Sequence, residues 1–132
     1  MSPLKKPMRS PGALHGFARE YPANAAANYY YALSLRRRTT ESHSASADRE
    51  AERLLLRATK LSPEWAEAHY QLGLLYEDES LQDNAIREYQ LSVRLRPELA
   101  KAHYRLGRLY EKNGQPQLAQ AEFHAFEALK AR

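Results

Sequence analysis

AEAHYQLGLLYE, Ala66 to Glu77, returns thirty-four residues later as AKAHYRLGRLYE, Ala100 to Glu111. A chain that writes one helix twice at a fixed spacing is building with a unit. The letters that change between copies then carry what the unit does not need for its own packing. Laying 64–97 over 98–131 matches 13 of 34 positions. Ala68, Leu72, Leu75 and Tyr76 fall at helical i, i+3, i+4 spacing, and Ala102, Leu106, Leu109 and Tyr110 repeat the stripe. Glu67 against Lys101, Gln71 against Arg105 and Leu74 against Arg108 are the changed letters.

A break follows each stripe: DESLQD after Tyr76 and its acidic neighbour Glu77, and KNGQPQ after Tyr110 and Glu111, where Gly114 and Pro116 punctuate. A second amphipathic segment then begins, with Ala85, Tyr89, Ser92, Val93 and Leu95 in one copy and Ala119, Phe123, Phe126 and Leu129 in the other. Pro97 stops the first of these. Each unit therefore reads as two antiparallel helices joined by a short turn. Gly73 and Gly107 stand mid-helix, where glycine costs about 1 kcal/mol relative to alanine. That cost makes sense where a partner helix crosses closely, and Ala85 and Ala119 are expected to supply the matching small surface.

These residues resemble the tetratricopeptide repeat family. The marks are His69, Leu72, Gly73, Tyr76, Ala85, Tyr89 and Pro97, then His103, Leu106, Gly107, Tyr110, Ala119 and Phe123. The 34-residue period is the family's own. The resemblance extends upstream: Pro22 stands three residues before Ala25, as Pro63 does before Ala66 and Pro97 before Ala100. There the first helix is AAANYYYALSL, with Tyr31, Ala32 and Leu35 in register. The second is DREAERLLLRATKLSP, with Ala51, Leu55, Ala58 and Leu61 in register and Asp48 as its expected N-cap. Leu35 to Ala51 is seven residues longer than Tyr76 to Ala85, which predicts a long inter-helix loop over 36–47. The expected architecture is all-α, a right-handed α-solenoid of three helix pairs with a short N-terminal helix. Its parts are a disordered basic tail (1–11) and a single domain (12–132). Within the domain, 12–21 is the end of a preceding helix, and the repeats are 22–63, 64–97 and 98–131.

The resemblance implies a superhelix whose concave face is lined by the first helix of each pair. Tyr29, Tyr70 and Tyr104 occupy equivalent places and would form a tyrosine ladder along it. Leu33, Leu74 and Arg108, Glu67 and Lys101, and Gln71 and Arg105 lie beside them. A groove of this chemistry suits an extended peptide or a partner helix. Lys101 and Arg105 lie one turn apart, so both could reach one carboxylate. They also match the last-repeat Lys and Arg with which some family members grip chaperone C-termini. Tyr29 and Leu33 replace the Lys and Asn expected in the first repeat, and Gln71 the Asn of the second, so chaperone-tail binding is disfavoured.

Other function classes find little support. With no cysteine, disulfides, thiol nucleophiles and cysteine zinc sites are excluded. No apolar run approaches the roughly 18 residues of a spanning helix. MSPLKKPMRSPG has no apolar stretch after its basic residues, so no signal peptide is read and a cytoplasmic location is expected. The net charge of +4 invites a nucleic-acid reading. Seven of the basic residues, Lys5, Lys6, Arg9, Arg19 and Arg36 to Arg38, fall in 1–47 against Glu20 and Glu41, while 48–132 is balanced. Nucleic acid is therefore disfavoured, and Arg36 to Arg38 with the Ser/Thr residues after them read as a solvated loop.

Of His15, His43, His69, His103 and His124, only His69 and His103 are related by the repeat. Stacked units would hold that pair about 10 Å apart, too far for one metal, so both read as packing residues. Glu77, Asp78 and Glu79 read as a solvated helix end. No phosphate loop or nucleophile signature is present. The expectation is a non-catalytic scaffold with no cofactor, no metal, no membrane and no small-molecule substrate, whose partner is a protein or peptide. The alternative is a self-associating assembly module acting through exposed solenoid ends, and a weaker alternative is nucleic-acid binding through the basic tail and loop. Phe126, standing where Ala58 and Ser92 stand in earlier units, would at such an end fill the core or leave an apolar patch.

Overall fold

The computed structural model describes residues 23–42 and 45–132, with the side chains of 38–42 undescribed. The expected tail, the expected preceding helix, His15 and His43 lie outside the described residues. Six helices account for nearly all of the rest: α1 Ala25–Ser42, α2 Ala45–Leu61, α3 Ala66–Asp78, α4 Gln82–Leu95, α5 Ala100–Lys112 and α6 Pro116–Lys130. Among the described residues there is no strand. The chain divides into two compact units, Met1–Pro63 and Glu64–Arg132, and the division falls where the second expected repeat begins.

In the first unit α1 pairs with α2. Asn24 caps α1, its Oδ1 accepting the Ala27 N–H at 2.9 Å, and the buried Asn28 donates back to the Asn24 carbonyl at 2.7 Å. The expected loop over 36–47 is corrected here, because α1 runs to Ser42 and α2 begins at Ala45. No Gly or Pro interrupts 36–47, so the seven extra residues lengthen both helices instead of looping out. Asp48 is likewise not an N-cap. It lies in the first turn of α2, where its charge suits the helix dipole, and it accepts from Arg36 of α1 at 3.1 Å.

In the second unit α3 pairs with α4, α5 pairs with α6, and α4 packs on α5. The core is the repeated stripe: Ala68, Leu72, Leu75, Ala102, Leu106 and Leu109 are essentially solvent-free. Tyr89 and Ser92 of α4 are as deeply buried. The residue that crosses each helical glycine differs from the expectation. A Cβ on Gly73 would meet the Tyr89 ring, and one on Gly107 the Phe123 ring, each closer than 3.0 Å. The glycines make room for aromatic rings, while Ala85 and Ala119 are buried elsewhere on the same helices. The first unit fits this logic: α2 offers Leu55 in place of the ring, and α1 has Ala32 in place of glycine, both fully buried.

Both turns of this unit close the same way. The Leu81 N–H reaches back to the Tyr76 carbonyl and the Ser80 N–H to that of Glu77. Gln115 and Gly114 do the same to Tyr110 and Glu111. This is the Schellman closure, which needs a left-handed residue after the helix. Gly114 supplies it at φ 73° and Ser80 at φ 61°.

Candidate functional site

The histidines of the repeat do more than fill space. His69 Nδ1 lies 2.8 Å from Glu88 Oε1, and His103 Nδ1 lies 2.7 Å from Glu122 Oε1. Each pair ties the first helix of a hairpin to the second. His103 also places Nε2 2.7 Å from the Pro97 carbonyl. Sequence reasoning took the histidines for packing and missed the glutamates. The signal was present, since His69, Glu88, His103 and Glu122 all belong to the matched positions at one spacing. Among the described residues no group of three His, Asp or Glu is arranged to hold a metal ion.

The changed letters of α3 and α5 are brought together. Lys101 Nζ lies 3.1 Å from Glu67 Oε2 and 4.8 Å from the centre of the Tyr70 ring. Arg105 lies 3.7 Å from Glu77 Oε1, which also accepts the Tyr89 hydroxyl at 2.7 Å. Arg96, at the end of α4, approaches Glu67 at 4.0 Å and Glu98 at 3.4 Å. Lys101 and Arg105 thus do not converge on one point, because each is drawn to a different carboxylate of α3. Burial works against the Arg105 charge, but Glu77 and the tyrosine hydroxyls outweigh it and raise the guanidinium above its ordinary value. Burial is also the main cause that pushes the Tyr89 phenol well above the usual tyrosine value, reinforced by Glu77.

The tyrosines of equivalent register are not equally exposed. Tyr29 and Tyr70 are buried, whereas Tyr104 is 37% exposed. Tyr70 packs against Tyr89, and Lys101 covers its ring. Tyr104 packs against Phe123 and Phe126, and Arg108 donates to its hydroxyl at 3.1 Å. Leu33, Gln71 and Leu74 are half-buried, and Lys101, Arg105 and Arg108 are exposed. Tyr29 and Leu33 belong to the first unit, so the residues shown together are those of α3 and α5. Glu79 and Asp78 are exposed at the end of α3, while Glu77 turns inward to Tyr89. No helix among the described residues is long and apolar enough to cross a membrane.

Comparison with known proteins agrees with this architecture. Family models for the tetratricopeptide repeat match residues 66–99 and 88–121. No curated protein matches the sequence. Among solved structures, a crystal structure of MamA is 24% identical with a TM-score of 0.79, covering 92% of this chain and 67% of that one. A MamA RS-1 ArsTM double mutant is 22% identical with a TM-score of 0.79, covering 92% and 64%. A second crystal structure of MamA protein is 24% identical with a TM-score of 0.75, covering 92% and 62%. This chain spans about two thirds of the length of those proteins, and at such identity the likeness is one of fold. Repeats of this kind are protein-interaction scaffolds, and residues 66–121 of this chain match tetratricopeptide repeats within an all-α fold of helix pairs.

Proposed function

We propose that the chain is a non-catalytic scaffold that binds an extended peptide or a helix of a partner protein along the face shared by α3 and α5. The observation that carries this reading is the bridging of those two helices by their changed letters. Lys101 reaches Glu67, Arg105 reaches Glu77, and Gln71, Leu74, Tyr104 and Arg108 flank them. Packing of the repeat does not require the changed side chains among these, since the stripe of Ala, Leu and Tyr already closes the core. Their mixture of aromatic, apolar and charged groups is that of a recognition surface.

A displayed library of random 12-residue peptides, selected on the full chain, tests the proposal. Selected peptides are then titrated by fluorescence anisotropy against wild type and a Lys101→Glu/Arg105→Glu double variant. A loss of about tenfold or more in the variant is expected. Equal affinity for both proteins would place peptide binding elsewhere.

A further inference from the structure

Three letters that change between the copies line up in a row with one that does not. Arg108 stands where the first copy has Leu74, Phe126 where it has Ser92, and Lys130 where it has Arg96. The unchanged residue is Tyr70 in one copy and Tyr104 in the other, and its exposure rises from 6% to 37%. The result in the second copy is a strip of alternating chemistry. The Arg108 guanidinium lies 5.9 Å from the centre of the Tyr104 ring, Tyr104 lies 5.1 Å from Phe126, and the Lys130 ammonium lies 5.3 Å from Phe126.

Packing does not account for this strip. Ser92 in the first copy is fully buried and donates to the Ala66 carbonyl at 3.0 Å, tying α4 to α3. Its counterpart Phe126 is only half-buried and rests on an exposed tyrosine. Charge balance does not account for it either. Lys101 and Arg105 each face a carboxylate of α3, whereas among the described residues Arg108 meets the hydroxyl and ring of Tyr104 and no carboxylate. Lys130 faces Glu127 at 3.7 Å, and both side chains are more than half exposed.

We propose that Arg108, Tyr104, Phe126 and Lys130 anchor an acidic segment of a partner protein. An aromatic or large aliphatic side chain of that segment lies on Tyr104 and Phe126, and flanking Asp or Glu carboxylates reach Arg108 and Lys130. This rests on the peptide-binding reading above and names the chemistry of its partner. Charge complementarity selects the occupant: two cations bracket the ring faces, so a basic segment is repelled and an acidic one is drawn in. Arg108 can hold a carboxylate through two parallel N–H donors, which an isolated lysine cannot.

The test uses the peptides selected above on the full chain, with Arg108→Glu, Lys130→Glu and Tyr104→Ala variants whose helicity matches wild type by circular dichroism. Selected peptides are expected to carry Asp or Glu within two residues of an aromatic or large aliphatic residue. Each variant should weaken them by about tenfold, and raising the salt should weaken wild-type binding. Peptides without acidic residues, or acidic peptides bound equally by wild type and Arg108→Glu, would overturn the proposal. If those peptides still respond to Lys101→Glu/Arg105→Glu, the face of α3 and α5 stands and only the strip falls. If they respond to neither set, or if nothing is selected, both readings fall. Selected peptides that copy the chain's own acidic turn, Tyr76 to Asp83, together with dimers by light scattering, would reassign the strip to a second copy and overturn the partner named here.

Discussion

A glycine in the middle of a helix is normally a weak point that alanine repairs by about 1 kcal/mol. At Gly73 and Gly107 the sign should reverse, because the added carbon meets a ring of the paired helix, the buried Tyr89 or the half-buried Phe123. Gly107→Ala is expected to destabilise by about 1–3 kcal/mol in urea titrations, the usual cost of overpacking. A second change, Phe123→Leu, should recover part of that loss, since Ala32 and Leu55 hold the equivalent places in the first unit. Ser80 offers the opposite case. It holds a left-handed conformation that Gly114 fills in the second copy, so Ser80→Gly should stabilise by roughly 1 kcal/mol in thermal melts. Tyr89 adds a dependence on pH. Its folded-state phenol titrates above the unfolded value near 10, so its contribution is whole below that pH and is lost as the solution becomes more alkaline. Tyr89→Phe should cost about 1 kcal/mol at neutral pH. Melting followed between about pH 9 and 11 should then fall less steeply for the variant than for wild type.

Among the elements, the hairpins of the second unit share one tie and differ in how firmly their second helices are held. The tie is the histidine–glutamate pair, 2.8 Å in one hairpin and 2.7 Å in the other. Removing one partner by Glu122→Ala is expected to cost about 1 kcal/mol, read by denaturant unfolding. α4 buries Ala85, Ile86, Tyr89 and Ser92, whereas α6 buries Ala119 alone. Amides of α6 should therefore exchange with deuterium faster than those of α4, because few buried contacts resist its local opening. In the first unit the lengthened helices bring Arg36 and Asp48 together across the hairpin. Stripe positions made the helices legible in the sequence, but the same stripe was silent about 36–47. That stretch has no alternation of apolar and polar residues to report, so a helix there looked like a loop.

For the molecule as a whole, packing is concentrated within each of two units, and the chain passes from one to the other between Pro63 and Glu64. Leu75→Ala, a cavity at the centre of the second unit, should cost about 2–5 kcal/mol. Hydrogen exchange is expected to lose protection throughout α3, α4 and α5 together, while α1 and α2 lose less. Uniform loss along the chain would indicate a single cooperative block. The charge of the whole chain says little about its partner. The positive excess lies outside the second unit, and on the face of α3 and α5 proposed for binding Lys101 and Arg105 already have a carboxylate beside them.

The letters of the chain alone give the repeat, its period, the helix pairs and the buried stripe of α3 and α5, whereas Leu61 and Leu95, expected on the stripes of the second helices, are exposed. The repeat and its stripe rest on local spacing: a residue at i, i+3 or i+4 must share a helix face with its neighbour, and a run of 34 must return to the same phase. The same letters also name the side chains that vary along the first helices. Which of them stay exposed follows from how the helices pack on one another. Tyr70 and Tyr104 are the same letter in the same register, yet one is covered by Lys101 and the other is left open beside Arg108. That difference comes from what the following helices place above each ring, and no periodicity within a single helix contains it.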